Sequence, residues 1–192
     1  RYLPEFAQNG KEAITARQLL THHGGLIADN HLRDYRDGAE LAWDRIFALR
    51  PIATPGTKLI YTDVGFLVLG RLVERVSGMT LREFSRQNVF EPLGMSETAY
   101  LPEASLQSRA APTEQREGRW MQGEVHDPRA HLLGGVVGHA GLFSTAEDLA
   151  RYAQMMLGGG EYGGVRVLRS DTIDQMTTPY AVAGQFRALG WD

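Results

Sequence analysis

Between Pro55 and Val76 the chain reads PGTKLIYTDVGFLVLGRLVERV, and no other stretch limits the fold as strongly. Val64, Phe66, Leu67, Val68, Leu69, Leu72, Val73 and Val76 put apolar side chains on nearly every face of a helix over about residues 64–76. Such a helix is stable only where other elements bury it. Pro55 and Gly56 punctuate the approach, Leu59 to Tyr61 suits extended backbone, and Asp63 is placed to cap the helix by accepting from its unpaired amides. Tyr61 therefore stands where a helix N-terminus begins. Aligned peptide dipoles and unpaired N–H groups favour negative charge there, which makes the Tyr61 phenol a candidate acid/base. A tyrosine beside a helix start is more often a core residue with one satisfied hydroxyl, and position alone does not choose between the two.

Three patterns of the capping-box kind mark further helices: Thr15 to Gln18, Thr80 to Glu83, and Ser144 to Glu147. The first opens a short helix near Ala16 that buries Leu19 and Leu20 and ends in His22 and His23, read as histidines held by the last carbonyls and the helix dipole. The second carries Leu81, Phe84 and Val89 until Glu91-Pro92, and the third runs through Tyr152 and Met156 to Gly158-Gly159-Gly160. Trp43, Ile46, Phe47 and Leu49 point to another helix, broken by Pro51, and Ser170-Asp171 to a last one through Met176. Strands are expected within 95–101, 118–125, 165–168 and 186–191. Residues 96–130 have little periodicity, and a loop region of that length is usually functional or disordered.

Composition excludes several classes. A chain of 192 residues that is 43% hydrophobic and 22% charged folds around a sizeable core. Its net charge of −3 and scattered basic residues give no electrostatic case for nucleic acid, and no apolar run reaches the length of a membrane span. With no cysteine, disulfides and thiolate metal sites are absent. A metal-dependent hydrolase is a rival suggested by six histidines and the His126-Asp127 pair, but no tight ligand spacing supports it. An α/β-hydrolase lacks its Gly-x-Ser-x-Gly.

Tyr61-Thr62-Asp63 resembles the Tyr-x-Asn motif of the serine β-lactamase and penicillin-binding-protein superfamily. ITARQLLTHHGGL from Ile14, FEPLGM from Phe90 and GHAGLFSTAEDLARY from Gly138 follow in the order of its class C β-lactamase, D-alanyl-D-alanine carboxypeptidase and esterase branch. The resemblance covers nearly the whole chain. It implies an α/β (α+β) fold of the β-lactamase/transpeptidase type, here one partial domain over 1–192, mostly helical with a few strands. It also implies acyl transfer on a lactam, ester or D-Ala-D-Ala peptide through an acyl-serine, with Tyr61 and Asp63 as catalytic residues. His126 and Asp127, in a loop of the kind that lines the family's cleft, are expected to bind substrate. Neither a metal nor an organic cofactor is implied. The partner is a small-molecule or peptidoglycan-derived substrate, the place of work the periplasm or the cell exterior, and the oligomeric state stays open.

The family's Ser-x-x-Lys and Lys/His-Thr-Gly motifs are missing from the sequence. Lys11 and Lys58 are the only lysines and neither follows a serine by three residues, while His139-Ala140-Gly141 reads as a loop. Since the chain begins at Arg1, a piece of a longer protein is expected, with the nucleophile elsewhere. Asp63, where many relatives carry asparagine, offers no N–H donor and adds negative charge beside Tyr61. A non-catalytic cell-wall or peptide-binding module of the same fold is the alternative that missing motifs leave open.

Overall fold

Helix α3, Asp63–Ser77, is the axis around which the first half of the chain packs. The computed structural model describes residues 2–182 and 184–191. Thr62 sits in extended backbone at the N-cap, its hydroxyl accepts from the Gly65 amide, and Gly78 ends the helix in the left-handed conformation at φ 72°. The cap expected of Asp63 thus belongs to its neighbour. Asp63 is the first helical residue, and its own N–H is engaged by the Ala28 carbonyl at 3.0 Å. Burial of α3 is also less complete than the apolar run suggests. Val64, Gly65, Leu67, Val68 and Gly70 are buried, whereas Val76 is exposed. The reason lies in the charged residues of the last turns: Arg71 pairs with Glu74 at 2.8 Å and stacks over Trp43 at 4.2 Å, which keeps that end at the surface.

Two helices precede it. Helix α1, Ala16–Leu20, has the full Thr15/Gln18 capping box and packs against α3, and α2, Ala39–Ala48, buries Ala42, Trp43, Ile46 and Phe47. Together with Leu26, Tyr35 and Val137 they form the first of two hydrophobic clusters. Lys11 is buried beside it, with its ammonium donating to the Gln8 and Leu49 carbonyls. It thereby takes up a carbonyl left unpaired at the C-terminus of α2.

Helix α4, Leu81–Ser85, keeps the expected Thr80/Glu83 box and runs on into a π-helical turn, Arg86–Phe90. That turn delivers Phe90 to a second cluster with Leu93, Met95, Met155 and Ile173. After two short helices, α5 (Ala104–Gln107) and α6 (Pro128–Leu132), helix α7, Ala146–Leu157, supplies Met155, and α8, Ser170–Thr177, supplies Ile173. The third box is corrected in detail: Thr145 caps α7 by accepting from Asp148 N–H, and Ser144 instead shares a 2.7 Å bond with Thr98.

The strands are short antiparallel pairs. They join β1 (Ala99–Tyr100) to β4 (Leu142–Phe143), β2 (Gln115–Arg116) to β3 (Arg119–Trp120), β5 (Glu161–Tyr162) to β6 (Val165–Arg166), and β7 (Tyr180–Val182) to β8 (Gln185–Arg187). Each expected strand region contains one or overlaps one, cut to two or three residues. Leu101, directly after β1, takes φ 48° and turns the chain out of the ladder.

Candidate functional site

One side of the α3 N-terminus forms the wall of an open cleft lined by His22, Tyr61, Asp63, His139, Arg187 and Trp191, among others. Each side chain arrives for a local reason. Tyr61 and Asp63 flank the cap residue Thr62. His22 follows the C-cap of α1 at φ 58°, a left-handed turn that sends its ring back toward α3. His139 is brought in by Gly138, where a Cβ would meet the Phe66 carbonyl at 2.0 Å and the Gly70 nitrogen at 3.0 Å. Only a residue without a side chain lets that loop lie directly on the helix.

Tyr61 is 61% exposed, so its phenol faces the cleft and does not fill a core. Its ring stacks on His22 with centroids 4.3 Å apart and 28° between planes, and the Arg187 guanidinium lies 5.6 Å from the ring centroid. Beneath it, His22 Nδ1 accepts from the Thr62 amide at 3.1 Å. Burial first, then the Arg187 and His23 charges, lower the His22 pKa to about 4, so the ring is neutral at pH 7. The expectation for His22 and His23 is half met. Their amides bond to the Leu19 and Gln18 carbonyls of α1, but their rings do not: His22 serves the α3 cap, and the buried His23 ring has no hydrogen-bond partner among the described residues.

Asp127 caps α6 by accepting from Ala130 N–H at 2.7 Å and takes a second bond from His139 Nε2 at 3.1 Å. Burial by itself would raise its pKa, yet the bonds from His139 and Ala130 outweigh that and bring it down to about 2. The His139 side chain is 4% exposed and Asp127 holds it against the cleft. Asp63 shifts the other way, its carboxyl raised by burial and by the nearby Asp29 and Asp127 charges, against the lowering effect of His139. Donor atoms of Asp63, Asp127 and His139 lie within 4.8 Å of one another, the one group among the described residues spaced to hold a metal ion. Two carboxylates and an imidazole suit a borderline divalent cation, and they suit a shared proton equally well.

Three of the four expected site residues therefore meet: Tyr61 and Asp63 on the cleft wall, and Asp127 behind them through His139. His126 does not join them. It is exposed, and its carbonyl accepts from Arg116 at 2.6 Å, because the turn that aims Asp127 at the α6 amides points its neighbour outward. Sequence reasoning passed over His139, although Gly138 and Gly141 on either side of a histidine were the available signal of close approach. Lys58 is exposed and Lys11 is engaged elsewhere, and no serine or lysine lines the cleft among the described residues. No described helix is long and apolar enough to cross a membrane.

Comparison with known proteins identifies the family. The family model described as beta-lactamase matches residues 1–192. An Escherichia coli (strain K12) protein provisionally named a D-alanyl-D-alanine carboxypeptidase is 34% identical over 220 residues, covering 100% of this chain and 50% of that protein. The N-acetylmuramyl-L-alanine amidase of Bacillus subtilis (strain 168) is 32% identical over 219 residues, covering 99% of this chain and 49% of the amidase. The chain thus spans about half the length of the curated relatives it matches. Among solved structures, a penicillin-binding-protein homologue from Caulobacter crescentus superposes with a TM-score of 0.74 at 21% identity, over 98% of this chain and 57% of that one. The likenesses favour neither the non-catalytic module nor the metal-dependent hydrolase. On sequence and on fold, the chain belongs to the beta-lactamase family.

Proposed function

We propose that the complete protein is a serine hydrolase of the β-lactamase and penicillin-binding type, acting on an amide of peptidoglycan-derived substrate, with Tyr61 as its proton relay. The observation that carries the reading is the exposed Tyr61 phenol at the start of α3, stacked on a neutral histidine and open to the cleft. A serine outside this chain attacks the substrate carbonyl, the Ser–O–C bond forms, and the serine proton passes to the phenolate. As the C–N bond breaks, the phenol returns that proton to the leaving amine. Water then repeats the cycle on the acyl-serine and regenerates the enzyme.

The α3 N-terminus lies beside Tyr61, and the Arg187 guanidinium adds positive charge above its ring. Asp63 opposes both when ionised, and its raised pKa reduces that opposition because the neutral carboxyl is less costly there. Names of the relatives, a carboxypeptidase for D-alanyl-D-alanine and an amidase for N-acetylmuramyl-L-alanine, support peptidoglycan amides over lactams or simple esters. Work on such a substrate implies the periplasm or the cell exterior.

The test is Tyr61→Phe in the complete protein, which deletes one hydroxyl and keeps the ring. Single-turnover acylation is expected to slow by roughly 10² to 10⁴. Thermal unfolding is expected to move little, because the ring packing survives and water already reaches this exposed residue. Near-normal acylation per folded molecule would remove Tyr61 from the reaction.

A further inference from the structure

Two histidines follow the C-cap of α1, and the reaction outlined above uses neither. Three contacts set His22 apart. Its Nδ1 accepts the Thr62 amide at 3.1 Å, its face stacks on Tyr61 at 4.3 Å, and its other neighbour is Phe66 of α3 at 5.0 Å. An imidazole nitrogen that accepts a bond carries no proton, so the neutral ring must hold its hydrogen on Nε2. The contacts also link two scales. Thr62 is the N-cap of α3, so the bond that fixes the ring also fixes the start of the helix on which the phenol sits. Tyr61 is otherwise an exposed side chain and, on a loop-like approach, would sample several rotamers.

We propose that His22 is the positioning residue of the cleft: a neutral platform that holds the Tyr61 phenol at one orientation and joins it to the α3 cap. It rests on the reading of Tyr61 as proton relay, and acts through that residue without touching substrate. Its left-handed backbone at φ 58° is part of the device, since a histidine in an ordinary helical conformation would aim its ring along α1. Tyr61 and Arg187 approach the ring from other elements and His23 adjoins it in the chain, and the Arg187 and His23 charges disfavour its protonation.

The complete protein, labelled with 15N in histidine and with 13C in the tyrosine rings, supplies the test. In the wild type, His22 is expected to show the Nε2–H tautomer without titrating between about pH 5 and 8. Titration near the free-histidine value, or the Nδ1–H tautomer, would overturn the proposal with no variant needed. His22→Asn retains an acceptor for the Thr62 amide and tolerates the left-handed backbone, but removes the ring. The expected result is a folded protein in which the Tyr61 ring resonance loses its ring-current shift and acylation slows about tenfold to a hundredfold, with substrate affinity nearly unchanged. His22→Phe keeps a ring and should recover much of the Tyr61 shift. Unchanged Tyr61 resonances in the folded His22→Asn protein would sink the idea. Failure of the Tyr61 reading shows separately: Tyr61→Phe would then acylate normally, while the resonance shift caused by His22→Asn would still appear.

Discussion

The two hydrophobic clusters of this chain bury similar side chains to different ends. Around α3, the apolar residues enclose buried polar groups: Lys11, His22, His23, Asn30 and Thr62. Around Phe90, Met95, Met155 and Ile173 the interior is aliphatic and aromatic, and its buried polar contact is at the margin, where Asp148 accepts from Thr98 Oγ1 at 2.8 Å and from the Glu97 amide at 2.9 Å. The second region follows simple rules of burial and capping. The first breaks them beside the cleft, with a histidine at positive φ and a buried imidazole that has no hydrogen-bond partner among the described residues. Such local conflicts concentrate where a site is built, because a fold tolerates them only where something other than stability selects them.

The largest effect should come from emptying each core in turn. Leu67 and Met155 are both almost fully buried, and Leu67→Ala or Met155→Ala is expected to lower stability by about 2 to 5 kcal/mol each, transfer and cavity terms together. The clusters share no residue, so the double variant should lose the sum to within about 0.5 kcal/mol. Urea unfolding of the three variants measures this. A coupling well above that margin would show that the two regions form one cooperative core and would dissolve the contrast drawn above.

Acid should probe the first region next. His22 has a folded pKa of about 4 against an unfolded value of 6.5. Between those values the unfolded chain binds more protons, so stability rises with pH through the window and falls on acidification from about pH 6.5 to 4. The loss assigned to this one group is on the order of 2 to 3 kcal/mol. Asp127, held at about 2, is ionised throughout that window and loses its contribution only below it. Denaturant unfolding at fixed pH steps checks both statements. His22→Asn should flatten the curve between about pH 6.5 and 4 and leave the lower part in place, whereas a curve unchanged by that substitution would place the titrating group elsewhere.

The same contrast decides what was legible in the sequence. Helix α3, two of the three capping boxes and the order of the family motifs could all be read because each depends on neighbours within a few residues. Tyr61 on the cleft could be reached the same way, from an N-terminus and a resemblance. What escaped was whatever depends on contacts across the chain. Thr62 outcompetes Asp63 as cap because its hydroxyl also donates to the Ile27 carbonyl at 2.6 Å, a partner 35 positions away. His139 reaches Asp127 only because Gly138 lies flat on α3. His126 and Asp127 look equivalent in sequence and diverge because one amide-rich helix end claims the carboxylate.

The smallest expected difference is between two threonine caps, and it is the sharpest form of the comparison. Thr62 caps α3 in the first region and Thr145 caps α7 in the second, each hydroxyl accepting from the amide three residues on, at 3.3 and 3.2 Å. Valine has the same shape and removes only the hydroxyl. Thr145→Val should therefore cost about 1 kcal/mol, the ordinary value of an N-cap. Thr62→Val removes that bond and also leaves the part-buried Ile27 carbonyl without its donor, which adds up to about 1 to 3 kcal/mol. The second loss arises because the cap in the site region also ties α3 to the strand-like segment after α1, beside His22. Paired thermal unfolding of the two variants reads the difference directly. Equal losses would mean that the Thr62 hydroxyl serves the helix alone, and the dense polar wiring around α3 would then be packing geometry without energetic weight.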